Sequence, residues 1–496
     1  MRRRGDDSVE VVLDDLAGDR PAHGAGDPRP ARRRRRRLVG AGLLVLVGVA
    51  VVSAVMTAED GRRERDRREA LADVPGLLPS LDGPLEEAWS VDDARLAALG
   101  RDVVVLLAPR DGRLTGVDLR TGGRVWTHPS ADDETCRTLG PQSAPGRWAV
   151  GPDPVELVAC YRFFATVEGS RVVVGAPAVV TVLDVETGAE VATVPTPADV
   201  LGVELAAPDV VIASLDQQGA VVVSRWALPG TPGTPAREVW TRRVPEPLES
   251  IDRTGWVFHV EGEVLRVGTV GSVPLDLATG EPRPDAAREG VLYTLGATLP
   301  GGARVEWDVD RRAFGIGVSR VVPAGDGDVV ELEGVPWLPD VTDGSEPGVL
   351  LLRRLGQRPD VPGGSGDIVA VDPVSGADLW SGDPMAGMEP LVQVDGILVT
   401  AGAGTVVALD VRSGDVVWQD AVDGVGVSPA ALTDGDVVVV TERAGPELAL
   451  VARDLGTGVE RWRTSLGVLS PDGVTFAGSG AGVLASYRDR VALLVP

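Results

Sequence analysis

Three features of this chain predict an all-β protein, a propeller of about eight four-stranded blades (seven or nine as alternatives) preceded by one transmembrane helix. The first is composition. Of 496 residues 44% are hydrophobic, only 4% are aromatic, and Gly (63) and Pro (38) are plentiful. Valine-rich runs punctuated by turn formers favour strands over helices. The second is a short motif that recurs between residues 118 and 462, the mark of a stacked-repeat architecture. The third is a single uncharged stretch, Leu38–Ala58, with the length a spanning helix needs.

The span comes first along the chain. Its apolar region is longer than that of a cleaved secretory signal, the site around Met56–Ala58 suits a signal peptidase poorly, and no lipobox cysteine is present. Arg32 to Arg37 form an unbroken basic run before it, whereas the arginines from Arg62 to Arg68 are interleaved with acids. The positive-inside bias then predicts a cytoplasmic N terminus and an outward-facing remainder in the plasma membrane. Four regions follow: a disordered cytoplasmic tail over 1–37, the span over 38–58, a juxtamembrane stalk over 59–84 and an extracytoplasmic propeller over 85–496. Within the tail, the apolar strip Val9 to Leu13 offers a short motif for docking a cytoplasmic partner, or is plain disorder.

The repeat consists of a β-branched strand, then Asp, two residues, Thr or Ser, Gly, three residues and Trp. It is complete at Asp118, Thr121, Gly122 and Trp126. It is complete again at Asp372, Ser375, Gly376 and Trp380, and at Asp410, Ser413, Gly414 and Trp418. The fourth full copy is Asp454, Thr457, Gly458 and Trp462. Degenerate copies occur at Asp184, Thr187 and Gly188 and at Asp276, Thr279 and Gly280, where Ala192 and Pro284 replace the Trp. The residue types suit a hairpin corner. Asp accepts hydrogen bonds from the turn that it opens, Gly supplies the positive φ, and Trp on the returning strand wedges between sheets. The motif is architecture, not catalysis.

Asp395–Gly396 and Asp434–Gly435 mark further hairpins upstream of two corners, and Asp111–Gly112 lies one hairpin later in its unit. Each unit is thus about four antiparallel strands, the size of a propeller blade. Six corners give six blades. A seventh lies around Arg225 to Trp240, where Pro229 to Pro235 lengthens the corner, and residues 291–333 hold a motif-free eighth. Trp89 reads as a lone outer strand, and the C-terminal 24 residues read as a blade lacking one, so joining them would close the ring.

These corners resemble the tryptophan-docking repeat, A-x-D-x-x-T-G-x-x-x-W, of the PQQ-like (pyrroloquinoline quinone-like) β-propeller superfamily, and Ala370, Ala408 and Ala452 match its leading alanine. The chain is read as a single-pass, actinobacterial-type member. The resemblance covers most of residues 85–496, patchily in the middle. It implies either of two kinds of protein. One is a quinoprotein dehydrogenase holding PQQ with Ca²⁺. The other is a non-enzymatic propeller such as the lipoprotein scaffold of the outer-membrane barrel assembly machine. Adjacent cysteines and an Asn calcium ligand belong to many of the enzymes, and this chain has neither a vicinal Cys pair nor any Asn.

Other chemistry is sparse. His23, His128 and His259 are scattered, and His128 is expected in a surface loop. Gly402 to Gly404 reads as a hairpin turn, as do the Asp-Gly pairs at Asp326 and Asp343. Cys136 and Cys160 cannot make a four-cysteine zinc site, and in an oxidising compartment they are expected to form a disulfide. Net charge is −25, while residues 1–37 hold eleven Arg against seven acids, so the remainder is more acidic than the total. Such a surface repels nucleic acid.

The expected function is a non-enzymatic, membrane-tethered binding or assembly platform for a protein, peptide or glycan, with no catalytic residue, cofactor or metal. A PQQ-dependent dehydrogenase and a sensor signalling to the cytoplasmic tail are the alternatives.

Overall fold

The computed structural model describes most of residues 74–496 and a few positions from Arg62 to Leu71. Residues 1–61 and several connections, among them 140–154, 245–256, 284–290, 311–316, 355–366, 383–387 and 423–431, lie outside the described residues. The expected tail and the expected span Leu38–Ala58 fall there. Among the described residues no helix is long and apolar enough to cross a membrane.

Nine antiparallel sheets follow one another along the chain and form a nine-bladed propeller. Blade 1 runs through Arg95–Leu99, Val103–Ala108, Arg113–Asp118 and Arg124–Pro129, from the innermost strand outwards. Blade 2 repeats this with Glu134–Leu139, Leu157–Arg162, Ala178–Asp184 and Glu190–Thr196, and carries a small hairpin, Val167–Glu168 with Arg171–Val172, between its second and third strands. Blade 3 spans Val200–Ala206 to Arg237–Val244, and blade 5 spans Val291–Thr298 to Val330–Glu333. Blade 4 has three strands, Val257–Glu261, Val264–Gly268 and Val273–Asp276, plus one bridge between Leu275 and Pro282.

Blade 6 begins with the two-residue strand Val335–Pro336 and ends at Asp378–Gly382. Between its first two strands the chain crosses to blade 7, where Val341–Thr342 pairs in parallel with the inner strand Glu389–Val394. Blade 7 ends on Val416–Ala421 and blade 8 on Glu460–Ser465.

Blade 9 is assembled from both ends of the propeller. Val474–Ser479, Gly482–Tyr487 and Arg490–Val495 supply three strands, and Glu86–Asp92 supplies the outermost, with Trp89 opposite Leu493. Closure therefore occurs as the two orphan segments predict, and with this blade the ring has nine, within the expected range of about eight with seven or nine as alternatives. Described residues of the segment assigned to the stalk from sequence pack against the blades. Leu78, Leu81 and Leu85 are buried between blades 8 and 9, and Leu71 joins the cluster between blades 7 and 8.

Alternation explains the packing. Along Glu447–Asp454 of blade 8, Leu448, Leu450 and Ala452 enter the cluster shared with blade 9, while Ala449 and Val451 enter the one shared with blade 7. A strand buried on both faces reads as a continuous apolar run, which is why LALVA shows no polar alternation. Each fully buried Val or Leu contributes about 1.5–3 kcal/mol.

Candidate functional site

The structure places the motif residues at the turn between the third and fourth strands of their blades. In blade 1, Asp118 Oδ1 accepts the Thr121 N–H at 2.8 Å, the Thr121 hydroxyl at 2.7 Å and the Arg120 N–H at 3.1 Å. Asp184 and Asp276 hold Thr187 and Thr279 in the same way, and Asp454 holds Thr457. Asp372 and Asp410 accept two backbone N–H groups each.

These bonds favour the ionised carboxylate. The Thr121 hydroxyl, then its N–H, hold the Asp118 carboxyl below the usual range, and Thr279 acts likewise on Asp276. The Ser375 N–H leads at Asp372, and the Arg461 guanidinium leads at Asp454. The corner glycines take the left-handed conformation, with φ of 69° at Gly122 and 72° at Gly458.

Three of the four motif tryptophans reach the corner of the following blade. Trp126 Nε1–H donates to the carbonyl of Val185 at 3.1 Å, and Trp380 and Trp418 donate to Val411 and Leu455, both at 2.8 Å. In every case the acceptor is the residue directly after a corner Asp. The corner Gly lies flat on the ring, since a Cβ at Gly188 would come within 2.4 Å of Trp126.

Two further tryptophans dock without the full motif. Trp240 donates to Leu277 at 3.0 Å, and Trp89 donates to Leu119 at 2.9 Å across the ring closure. Only their place on an outer strand signals this. Trp462 meets blade 9, which has no such corner, and donates to the carbonyl of Leu81 at 2.6 Å, so the N-terminal segment stands in. Where Ala192 replaces Trp, Trp226 of blade 3 fills the same cluster from the opposite side.

Cys136 and Cys160 are direct cross-strand partners in blade 2 and form a disulfide closing a loop of 24 residues. Beside it, near the propeller axis, is a polar spot that sequence reasoning missed. Glu204 on the inner strand of blade 3 accepts the Val260 N–H at 3.3 Å, and its Oε2 lies 3.6 Å from His259 Nδ1 on the inner strand of blade 4. Burial pushes the Tyr161 hydroxyl up, with Arg137 opposing and Glu204 adding to the shift. His128, expected in a loop, is instead on the outer strand of blade 1. Among the described residues no three His, Cys, Asp or Glu side chains group to hold a metal ion.

Exposed apolar side chains concentrate on one sector of the ring. Among the described residues, five of the ten large exposed apolar side chains lie on the outer rim of blades 6 to 8: Val374, Leu379, Val416, Val417 and Val459. Val374 is 84% exposed and Val459 63%. Tryptophan docking joins the three blades that carry them. Leu379 precedes Trp380, which covers Gly414 just before Val416, and Val417 precedes Trp418, which covers Gly458 beside Val459.

Residues 362–494 match a family model described as outer membrane protein assembly factor BamB. The C-terminal blades are thus built of the PQQ-type repeat. No curated protein matches the chain. Among solved structures, BamB from Moraxella catarrhalis is 13% identical with a TM-score of 0.37, covering 75% of this chain and 98% of its own. Quinohemoprotein alcohol dehydrogenase from Comamonas testosteroni is also 13% identical, with a TM-score of 0.37 and coverage of 83% and 76%. Saccharomyces cerevisiae Sqt1 is 10% identical, with a TM-score of 0.39 and coverage of 83% and 99%. The matched stretch contains the whole apolar rim.

Proposed function

We propose that the chain is a non-enzymatic propeller, tethered to the plasma membrane through residues 38–58, that presents an extracytoplasmic platform for binding another protein. The apolar rim of blades 6 to 8 carries this reading. Exposed apolar side chains concentrated on one sector of a rigid scaffold suit a protein-interaction site. That rim falls inside the stretch matched by a model described as an assembly factor, which supports the same class of function.

The fate of the motif residues agrees. Their carboxylates, glycines and indoles are engaged in turn formation and blade docking, so these groups are not free for chemistry. The donor set also argues against a quinone enzyme. The disulfide joins residues 24 apart in sequence rather than neighbours, and no described carboxylate cluster suits calcium. Among the described residues the donor set does not match the adjacent cysteines and calcium ligands expected of a PQQ enzyme.

In-cell photo-crosslinking tests the platform. A photoreactive residue at Val374, Val417 or Val459 of the full chain is expected to give one common protein adduct. The same residue at Val125 of blade 1 is expected to give none. Adducts that are absent at all rim positions, or equal at Val125, would contradict it.

A further inference from the structure

The outermost strand of each blade leaves a row of backbone N–H and C=O groups without a neighbouring strand. Proteins blunt such edges with charge, proline or shortness. Most edges of this ring follow the rule. Arg124 and Pro129 guard blade 1, Glu190 and Pro195 guard blade 2, Arg242 guards blade 3 and Glu460 guards blade 8.

Blade 7 does not. Its outer strand Val416–Ala421 reads VVWQDA, with no Arg, Lys, Glu or Pro, and every side chain except Trp418 is exposed. Its one acid, Asp420, is paired with Arg453 of blade 8 at 2.5 Å, and Arg453 is fixed in turn by Glu442 at 2.6 Å. Among the described residues no strand pairs with its outer side. The blade 6 edge also lacks those guards, but it has only five residues and ends in Gly382.

We propose that the free edge of Val416–Ala421 accepts one extended strand from a partner protein, a segment of alternating β-branched and polar residues flanked by Arg or Lys. The backbone row supplies the hydrogen bonds, and Val416 and Val417 supply an apolar strip for alternate side chains of the incoming strand. Charge selects the occupant. Asp415 precedes the edge in a chain of net charge −25, so a basic flank is favoured and a second copy of this chain is repelled. This inference rests on the platform reading and narrows it to one mode.

The test uses the full chain in lipid nanodiscs. The probe is an acetylated, amidated peptide of alternating Val and Thr with Arg at each end. Fluorescence anisotropy is expected to show saturable binding, weakened at least tenfold by Val417→Lys and by Gln419→Lys with unchanged melting temperatures. Val125→Lys on blade 1 is expected to leave binding intact. Hydrogen exchange is expected to slow at least tenfold at alternate amides of 416–421 when the peptide binds. No binding, or binding indifferent to Val417→Lys and Gln419→Lys, overturns the proposal, as does dimerisation through this edge in light scattering. Crosslinks from Val374 and Val459 without slowed edge amides would overturn strand addition and leave the platform standing. Loss of both would remove the two together.

Discussion

At the scale of single residues, the corner carboxylates work by being ionised. The carboxyls of Asp118, Asp276, Asp372 and Asp454 are held below their ordinary value by hydrogen bonds that the unfolded chain lacks. Their contribution is therefore complete above the unfolded value of about 3.9, and is lost as pH falls through the lower folded values. Replacing all four with Asn should lower the melting temperature at pH 6, and the gap from wild type should close towards pH 2. Calorimetry across that range checks it, and parallel curves would contradict it. The docking indoles act by burial. Trp418→Ala should cost about 3–5 kcal/mol in chemical unfolding, by analogy with other core Trp truncations. Trp240→Ala should behave alike although its blade lacks the motif, because its Nε1–H finds the equivalent carbonyl. The corner chemistry was legible in sequence because Asp, Thr, Gly and Trp lie within nine residues and act locally. The Glu204 and His259 pair was not legible, since 55 positions separate two residues that only ring order brings together.

At the scale of elements, a blade is a sheet that buries both faces, and its seams with its neighbours do most of the work. The disulfide ties the two inner strands of blade 2 across a loop that includes residues 140–154. Replacing Cys136 and Cys160 together with Ser should lower stability by roughly 3 kcal/mol, the loop-closure entropy for a ring of that length. Equal unfolding midpoints with and without reductant would contradict it. Details inside the blades show where sequence reading falls short. Blade 5 turns its outer corner with Asp326, Gly327 and Asp328 in place of the motif, and blade 6 opens with only Val335–Pro336. Both blades were legible, the first as the motif-free unit 291–333 and the second by its corner at Asp372, but these two details leave no periodic trace. The crossing at Val341–Thr342 is too short to show any alternation, and its pairing with blade 7 depends on partners some 50 residues away. The hairpin at Asp395–Gly396 was legible, because a two-residue loop with positive φ at both positions demands that dipeptide.

At the scale of the whole molecule, the ring is held shut by a strand from its beginning laid on a blade from its end. Arg490 donates to Glu87 at 2.7 Å and to Ser90 at 2.8 Å across that seam, and Trp89 then docks on blade 1. Deleting residues 85–92 should expose the edge of Arg490–Val495, lower the melting temperature and promote aggregation in light scattering. Deleting residues 62–69 should do neither, and identical behaviour of the two deletions would count against closure. The blade order that puts the corners, the rim and the open edge of blade 7 side by side depends on this joint. The most direct measurement places a cysteine pair across it. Ser90 and Ala492 are register partners, so Ser90→Cys with Ala492→Cys should oxidise to a second disulfide, recovered as one linked peptide under nonreducing conditions. Ser90→Cys with Val483→Cys, which are not partners, should remain unlinked. Free thiols in the first pair, or equal linkage in both, would contradict a ring closed by the Trp89 strand.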